Sequence, residues 1–372
     1  MVIKHIVICG GGPTGLLSYG AVKHLAEQGF WAHENIETIY GTSVGALVGA
    51  MLCLKHEWST LDDYIIKRPW EKVIMESLEM FQLFSSKGMA KLKLLDDVMQ
   101  PLLESKDLSL SVTLSEFYAH SGISLNVFSV ELNTFAKVQL SHATHPDLAL
   151  MDAIKMSACM PLLFQPIVRE KCCYIDGGII ANYPLQECMQ DTQCRCDEVL
   201  GLQNVWNNPN EGIGEHSTLM DYMRLINLQL TRMVNRVAVN DPIPHEVVCH
   251  VKPDITPAEW FSIMSDAGQR LAWIEDGIAF GKQFLKTKEL KELKELKELK
   301  ELKELKDPKE PNDPKEPNDP KEPNDPKEPN DPKEPNDPKE PNDSKDPKEP
   351  NDPKDPKEPQ NERVITNSFY TE

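Results

Sequence analysis

The sequence predicts an α/β fold, a mostly parallel sheet with helices on its faces. Three observations carry that prediction. Strand-like apolar runs alternate with helix-spaced apolar segments from the first residues onward. Two of those runs lead straight into glycine-rich turns, Gly10–Gly15 and Gly41–Gly45. Residues 1–286 hold all nine cysteines and are long enough to bury one large core.

The elements follow in order. Residues 2–9 (Val-Ile-Lys-His-Ile-Val-Ile-Cys) are β-branched and continuous, as in a strand covered on both faces. Leu16, Leu17, Ala21, Val22, Leu25 and Ala26 recur at helical spacing, and Gly29 ends that helix. Residues 36–40 form a second strand, and the small residues of 44–54 a tightly packed helix. Leu92, Leu95, Val98, Met99, Leu102 and Leu103 mark an amphipathic helix, and Thr113-Leu114-Ser115-Glu116 fits a capping box. Strands are expected at 123–130, 137–140, 173–175, 199–202 and 246–251. Further helices are expected at 148–159, 217–239 and 257–285.

Two low-complexity segments follow. Residues 287–306 repeat Lys-Glu-Leu, all good helix formers. A three-residue period winds leucine around a helix, so this is no heptad coiled coil but a lone exposed helix of about 28 Å. Residues 307–372 repeat Asp-Pro-Lys-Glu-Pro-Asn and have little to fold around, which predicts a disordered spacer. Val364-Ile365 and Phe369-Tyr370 are its apolar points.

The net charge of -19 divides into about -9 on this tail, +1 on the Lys-Glu-Leu block and -11 on residues 1–286. An acidic domain argues against nucleic acid as a partner, and any transient membrane contact would be apolar. The stretch Leu78–Phe84 is a candidate lid or membrane-touching segment, with a buried helix as the plainer reading. No signal peptide or apolar span of about 18 residues is visible. The expected location is the cytoplasm or the periphery of an intracellular membrane. Cys172-Cys173 and Cys194-Arg195-Cys196 lack second pairs at zinc spacing, so no metal is expected.

Gly41-Thr42-Ser43-Val44-Gly45 is a Gly-x-Ser-x-Gly turn between a strand and a helix. Such a turn exposes a serine at a helix N-terminus, where the positive end of the helix favours an oxyanion. The Gly10-Gly11-Gly12 amides could supply oxyanion donors. Asp176-Gly177-Gly178 places a carboxylate on a glycine turn after a strand.

Several motifs, in order, resemble the patatin-like phospholipase family. Gly10–Gly15 with Gly20, Leu25, Glu27 and Gly29 matches its first loop and helix. Gly41–Leu47 matches its serine turn. Ser157, Pro161, Phe164, Pro166, Asp176–Gly178, Asn182 and Pro184 match its approach to the aspartate. The resemblance spans nearly all of residues 4–285. It implies a three-layer α/β/α fold, no cofactor, and a phospholipid or neutral lipid substrate. It also implies a Ser–Asp dyad, with Ser43 as nucleophile, Asp176 as general base and Gly10, Gly11 and Gly12 as the oxyanion hole. Gly15, Gly41, Gly45, Gly177 and Gly178 support the turns. Partial burial is expected to raise the Asp176 pKa. The family's usual Arg or Lys in the first loop is Thr14 here, which predicts weaker headgroup contact or altered turnover.

Competing readings have their own residues. A Ser-His-Asp hydrolase would use His216, His245 or His250. A dinucleotide site would use Gly10, Gly12 and Gly15 with Glu34 or Glu37 on the ribose, leaving the serine turn unexplained. A lipid-binding scaffold or a transacylase on the same fold completes the alternatives.

Overall fold

A computed structural model describes residues 2–77, 87–206, 212–237, 242–251 and 257–306. The Leu78–Phe84 segment and the repeats from 307 onward lie outside them. The strands are β1 His5–Ile8, β2 Thr38–Thr42, β3 Gly88–Ala90, β4 Ser124–Glu131, β5 Ala136–Leu140, β6 Leu162–Phe164, β7 Ile167–Arg169, β8 Cys172–Asp176, β9 Val199–Trp206 and β10 Glu246–Val251. The helices are α1 Gly15–Glu27, α2 Val44–Cys53, α3 Trp58–Lys67, α4 Trp70–Ser77, α5 Lys93–Glu104, α6 Leu114–Ser121, α7 Leu150–Ala158, α8 Gly178–Ala181, α9 Leu185–Thr192, α10 Leu219–Val237, α11 Pro257–Ser265 and α12 Ala267–Lys306.

The main sheet runs β10-β9-β1-β2-β4-β8-β7, with β5 also paired to β4. From β10 to β4 every pairing is parallel; β8, β7 and β5 join antiparallel. Period-2 alternation sorts the side chains into two layers. Ile6, Ile8, Ile39, Leu125 and Leu200 face the larger core under α1, α2, α7 and α12. Val7, Tyr40, Phe128 and Val199 face a smaller core under α8 and α9. The sheet is therefore covered on both faces, which is why its central strands read as unbroken apolar runs.

The capping box forms as expected: Thr113 Oγ1 accepts from the Glu116 amide, and the Glu116 carboxylate accepts from the Thr113 amide. The expected helix 257–285 is instead two helices. Asp266 breaks the run and caps the second one, its carboxylate accepting from the Gln269 amide at 2.8 Å. The second helix, α12, does not stop at 285 but continues through the Lys-Glu-Leu block to Lys306. No glycine or proline intervenes after Gly281 to end it. It spans about 60 Å, and Leu290, Leu293, Leu296 and Leu299 are all exposed along it. Among the described residues, no helix is long and apolar enough to cross a membrane.

Candidate active site

Strand register brings the sequence-derived residues to one edge. Ile8 pairs with Gly41, so Gly10 stands level with Ser43. Thr42 pairs with Phe128 and Ser129 pairs with Asp176, so Ser43 and Asp176 share a level two strands apart. Two strand spacings are about 10 Å, a gap that side chains reaching over β4 can close. Gly10 and Ser43 follow the carboxyl ends of parallel strands β1 and β2, where α/β sheets form their crevices, and Asp176 ends antiparallel β8 at the same level.

Ser43 joins β2 to α2 with φ 56° and ψ -122°, a conformation that costs a non-glycine residue energy. Packing holds it there. A Cβ on Gly45 would lie 2.3 Å from the Ile8 carbonyl oxygen, so α2 rests directly on the β1 backbone. A Cβ on Gly41 would meet the Gly45 carbonyl at 2.6 Å. The Ser43 amide donates to Ser157 Oγ at 2.8 Å, and Thr42 Oγ1 donates to the Ala181 carbonyl at 2.7 Å. The N-terminus of α2 then directs its positive end at the serine.

Asp176 ends β8 and is buried, with 7% exposure. Burial pushes its carboxyl up to about 6; the hydrogen bond from the Gly178 amide, at 2.7 Å, and the nearby Ser43 side chain partly offset that rise. Gly177 lies flat on Phe128, and its amide donates to the Ser157 carbonyl at 3.2 Å. Ser157, itself fully buried, thus grips the serine turn with its hydroxyl and the aspartate turn with its carbonyl.

The glycine loop narrows the expected donor set. The Gly10 amide is committed to the Asn182 carbonyl at 3.0 Å. Gly11 and Gly12 take φ 147° and 60°, and among the described residues their amides have no hydrogen-bond partner. Gly15 opens α1 against Val44. Thr14 is fully buried rather than facing a headgroup. Its hydroxyl donates to the Gly11 carbonyl at 3.1 Å and accepts from Asn204 Nδ2 at 2.6 Å. It staples the loop from inside, in a place where a cation would be stripped of water.

An apolar cavity of about 150 Å³ opens beside Ser43 and Gly12. Leu47, Met51, Leu95 and Phe261 are among its walls, and the Trp260 indole covers Gly12 so closely that a Cβ there would overlap it. At its margin Arg270, 1% exposed, donates to the carbonyls of Ile65, Ile66, Arg68 and Met264. Those bonds cap the end of α3 and tie it to α12.

The competing residues lie elsewhere. His245 packs edge-on against Phe30 and Phe284, one residue before β10 begins. His250 is exposed on β10, three strands across from β2, and His216 is exposed ahead of α10. Glu37 pairs with Lys4 at 3.5 Å at the amino end of β2, and Glu34 is exposed in the turn before it. Both stand at the opposite edge from the glycine loop. The nine cysteines are free thiols.

Sequence reasoning missed two residues. Asn235 on α10 donates through Nδ2 to the carbonyls of Gly178, Ile179 and Thr231 and accepts from the Asn182 amide. Trp260 roofs the glycine loop at Gly12. No motif marks either one; both arrive from the far end of the chain.

A sheet covered on both faces, with a serine on a strained strand-to-helix turn beside a buried aspartate, defines an α/β protein of the serine-turn class. Residues 6–189 match the patatin-like phospholipase family and form a patatin-like phospholipase domain. It is 24% identical over 210 residues to uncharacterized protein R571 of Acanthamoeba polyphaga mimivirus, covering 56% of this chain and 68% of that one. It is 24% identical over 191 residues to probable lipid hydrolase 463L of Invertebrate iridescent virus 6, covering 49% and 62%. The crystal structure of VipD from Legionella pneumophila aligns with a TM-score of 0.46 at 14% identity, over 77% of this chain and 67% of that one.

Proposed function

We infer that the protein hydrolyses fatty-acyl esters through a Ser43 acyl-enzyme, with Asp176 as its only proton carrier. The observation behind this reading is the buried Asp176 carboxyl, raised to about 6 beside the Ser43 side chain. A raised pKa makes it a competent base near neutral pH.

The acyl chain lies in the cavity beside Ser43, with its ester carbonyl over the serine. Ser43 Oγ attacks the carbonyl carbon as Asp176 takes the hydroxyl proton. The oxyanion is received by the Gly11 and Gly12 amides and the positive end of α2. Collapse of the intermediate expels the alcohol, which leaves with the proton from Asp176. Water then enters and its oxygen attacks the acyl carbon as Asp176 takes its proton; collapse breaks the bond to Ser43 Oγ, which recovers the proton from Asp176 as the acid is released.

The test combines labelling and pH. A fluorophosphonate probe should label the wild type and not Ser43→Ala. The Asp176 carboxylate is the active form, so kcat/KM should rise with pH through about 6 and stay level above it. Absence of labelling in folded wild type would favour a lipid-binding scaffold. An acidic limb abolished by replacing a histidine would restore the triad reading.

A further inference from the structure

One polar residue interrupts an apolar row on β9. Leu200 and Leu202 face the larger core, and Asn204, two residues on, continues that row with 5% exposure. Its backbone amide donates to Cys9 Sγ at 3.1 Å. Its side chain donates from Nδ2 to Thr14 Oγ1 at 2.6 Å and leaves Oδ1 buried with no partner among the described residues. An unpaired buried acceptor destabilises, so stability alone does not account for an asparagine here. The direction of the hydrogen bonds does. Thr14 has a single hydroxyl proton. With Asn204 as donor on one side, that proton goes to the Gly11 carbonyl on the other, at 3.1 Å. The Gly11 carbonyl and the Gly12 amide belong to one planar trans peptide and point in opposite directions. Holding the carbonyl inward on Thr14 therefore turns the Gly12 amide outward, and Gly12 lines the cavity beside Ser43. The loop needs such a hold, because Gly11 at φ 147° has no side chain to restrict its rotation.

We propose that Asn204, acting through Thr14, is a positioning residue that aims the Gly12 amide at the oxyanion formed when Ser43 attacks its ester. The inference rests on the acyl-ester reading and adds to it a residue outside both the dyad and the glycine loop. An amide aimed in advance needs no reorganisation as charge develops on the ester oxygen. Its benefit is realised in the transition state and not in substrate binding, so it belongs to kcat and not to KM. The relay runs from β9 to the loop by one donated proton at each step: Asn204 to Thr14, Thr14 to Gly11. Either link can be cut by itself.

The test uses the full-length protein, p-nitrophenyl butyrate as substrate, a fluorophosphonate probe and urea denaturation. Thr14→Val removes the hydroxyl at nearly constant volume, Thr14→Ser keeps it, and Asn204→Val removes the donor together with the unpaired acceptor. Thr14→Val and Asn204→Val should each lower kcat by about tenfold with KM little changed. Labelling of Ser43 should slow by a similar factor, because the phosphonyl oxygen meets the same donors. Thr14→Ser should stay within about twofold of wild type. Asn204→Val should keep the wild-type urea midpoint, a separation of activity from stability that a merely structural residue would not give. An unchanged kcat in folded Asn204→Val, or a Thr14→Ser variant as impaired as Thr14→Val, overturns the positioning role alone. If Asn204→Val does not fold, the two Thr14 variants decide. A wild type that neither cleaves the ester nor takes the label overturns the hydrolase reading, and the positioning role with it.

Discussion

The two halves of the site are built differently. Ser43 is held by backbone: β1 and β2 pair in parallel, α2 lies on β1, and glycines at 41 and 45 let main chain touch main chain. Asp176 adds a side-chain bracket to its backbone bonds. It ends an antiparallel strand, the Ser157 carbonyl accepts from the Gly177 amide, and the Asn235 side chain holds the Gly178 and Ile179 carbonyls and the Asn182 amide. Backbone contact of the first kind leaves little freedom. Side-chain brackets of the second kind can be weakened one bond at a time. Substitutions on the Ser43 side should therefore disturb the fold, and those on the Asp176 side should tune chemistry and stability.

The sharpest way to break this contrast is Gly45→Ala. Its new Cβ would stand 2.3 Å from the Ile8 carbonyl and 2.7 Å from that of Cys9, both in backbone with no rotamer to yield. The expected loss is about 3 kcal/mol or more, measured by urea denaturation. A loss below about 1 kcal/mol would mean that α2 can lift off the sheet, and that Ser43 is not backbone-clamped.

On the aspartate side, removing the charge should stabilise the protein. The folded pKa of Asp176 lies near 6 and the ordinary value is 3.8. A raised folded pKa means the folded state holds the proton more tightly. Its contribution is complete below about pH 4 and is lost as pH rises through about 6. The shift is roughly two units, so ionisation costs about 3 kcal/mol at pH 8. Asp176→Asn keeps the acceptor for the Gly178 amide and should raise stability by up to that amount at pH 8, and by nothing at pH 4. Equal stability at both values would show that the carboxylate is solvated in the folded state. The same variant should be inactive, a trade of stability for function.

The contrast also explains what could be read in advance. The Ser43 half was legible because its constraints are local: a β-branched run, then glycines at fixed offsets, then small residues that pack. The turn at Asp176 was legible as Asp-Gly-Gly, and burial was enough to expect a raised pKa. Its brackets were not legible. Asn235 is one polar residue among several on an amphipathic helix, and nothing local marks a contact with Gly178. The loop sequence alone offers the Gly10 amide as an oxyanion donor, but the Asn182 carbonyl, from a distant part of the chain, occupies it. The run-on of α12 into the repeats was hidden by a change in composition that is not a change in helix propensity.

Asn235 offers the finest adjustment of the aspartate side. Its Nδ2 holds the Gly178 carbonyl at 2.9 Å, while the Gly178 amide holds Asp176 Oδ1 at 2.7 Å. Asn235→Ala frees that turn without replacing Ser43 or Asp176. Because the Gly178 hydrogen bond lowers the Asp176 pKa, loosening it should move the acidic limb of kcat/KM to higher pH. Turnover should fall by about tenfold, equal to about 1.4 kcal/mol of barrier, with KM little changed. Asn235→Asp keeps the acceptor for the Asn182 amide but loses the donors to Gly178 and Ile179. It should therefore share the shifted limb of the alanine variant. A drop in activity with the limb unmoved would make Asn235 a simple anchor of α10. A moved limb would make it a positioning residue for Asp176, reached from a helix that no motif connects to it.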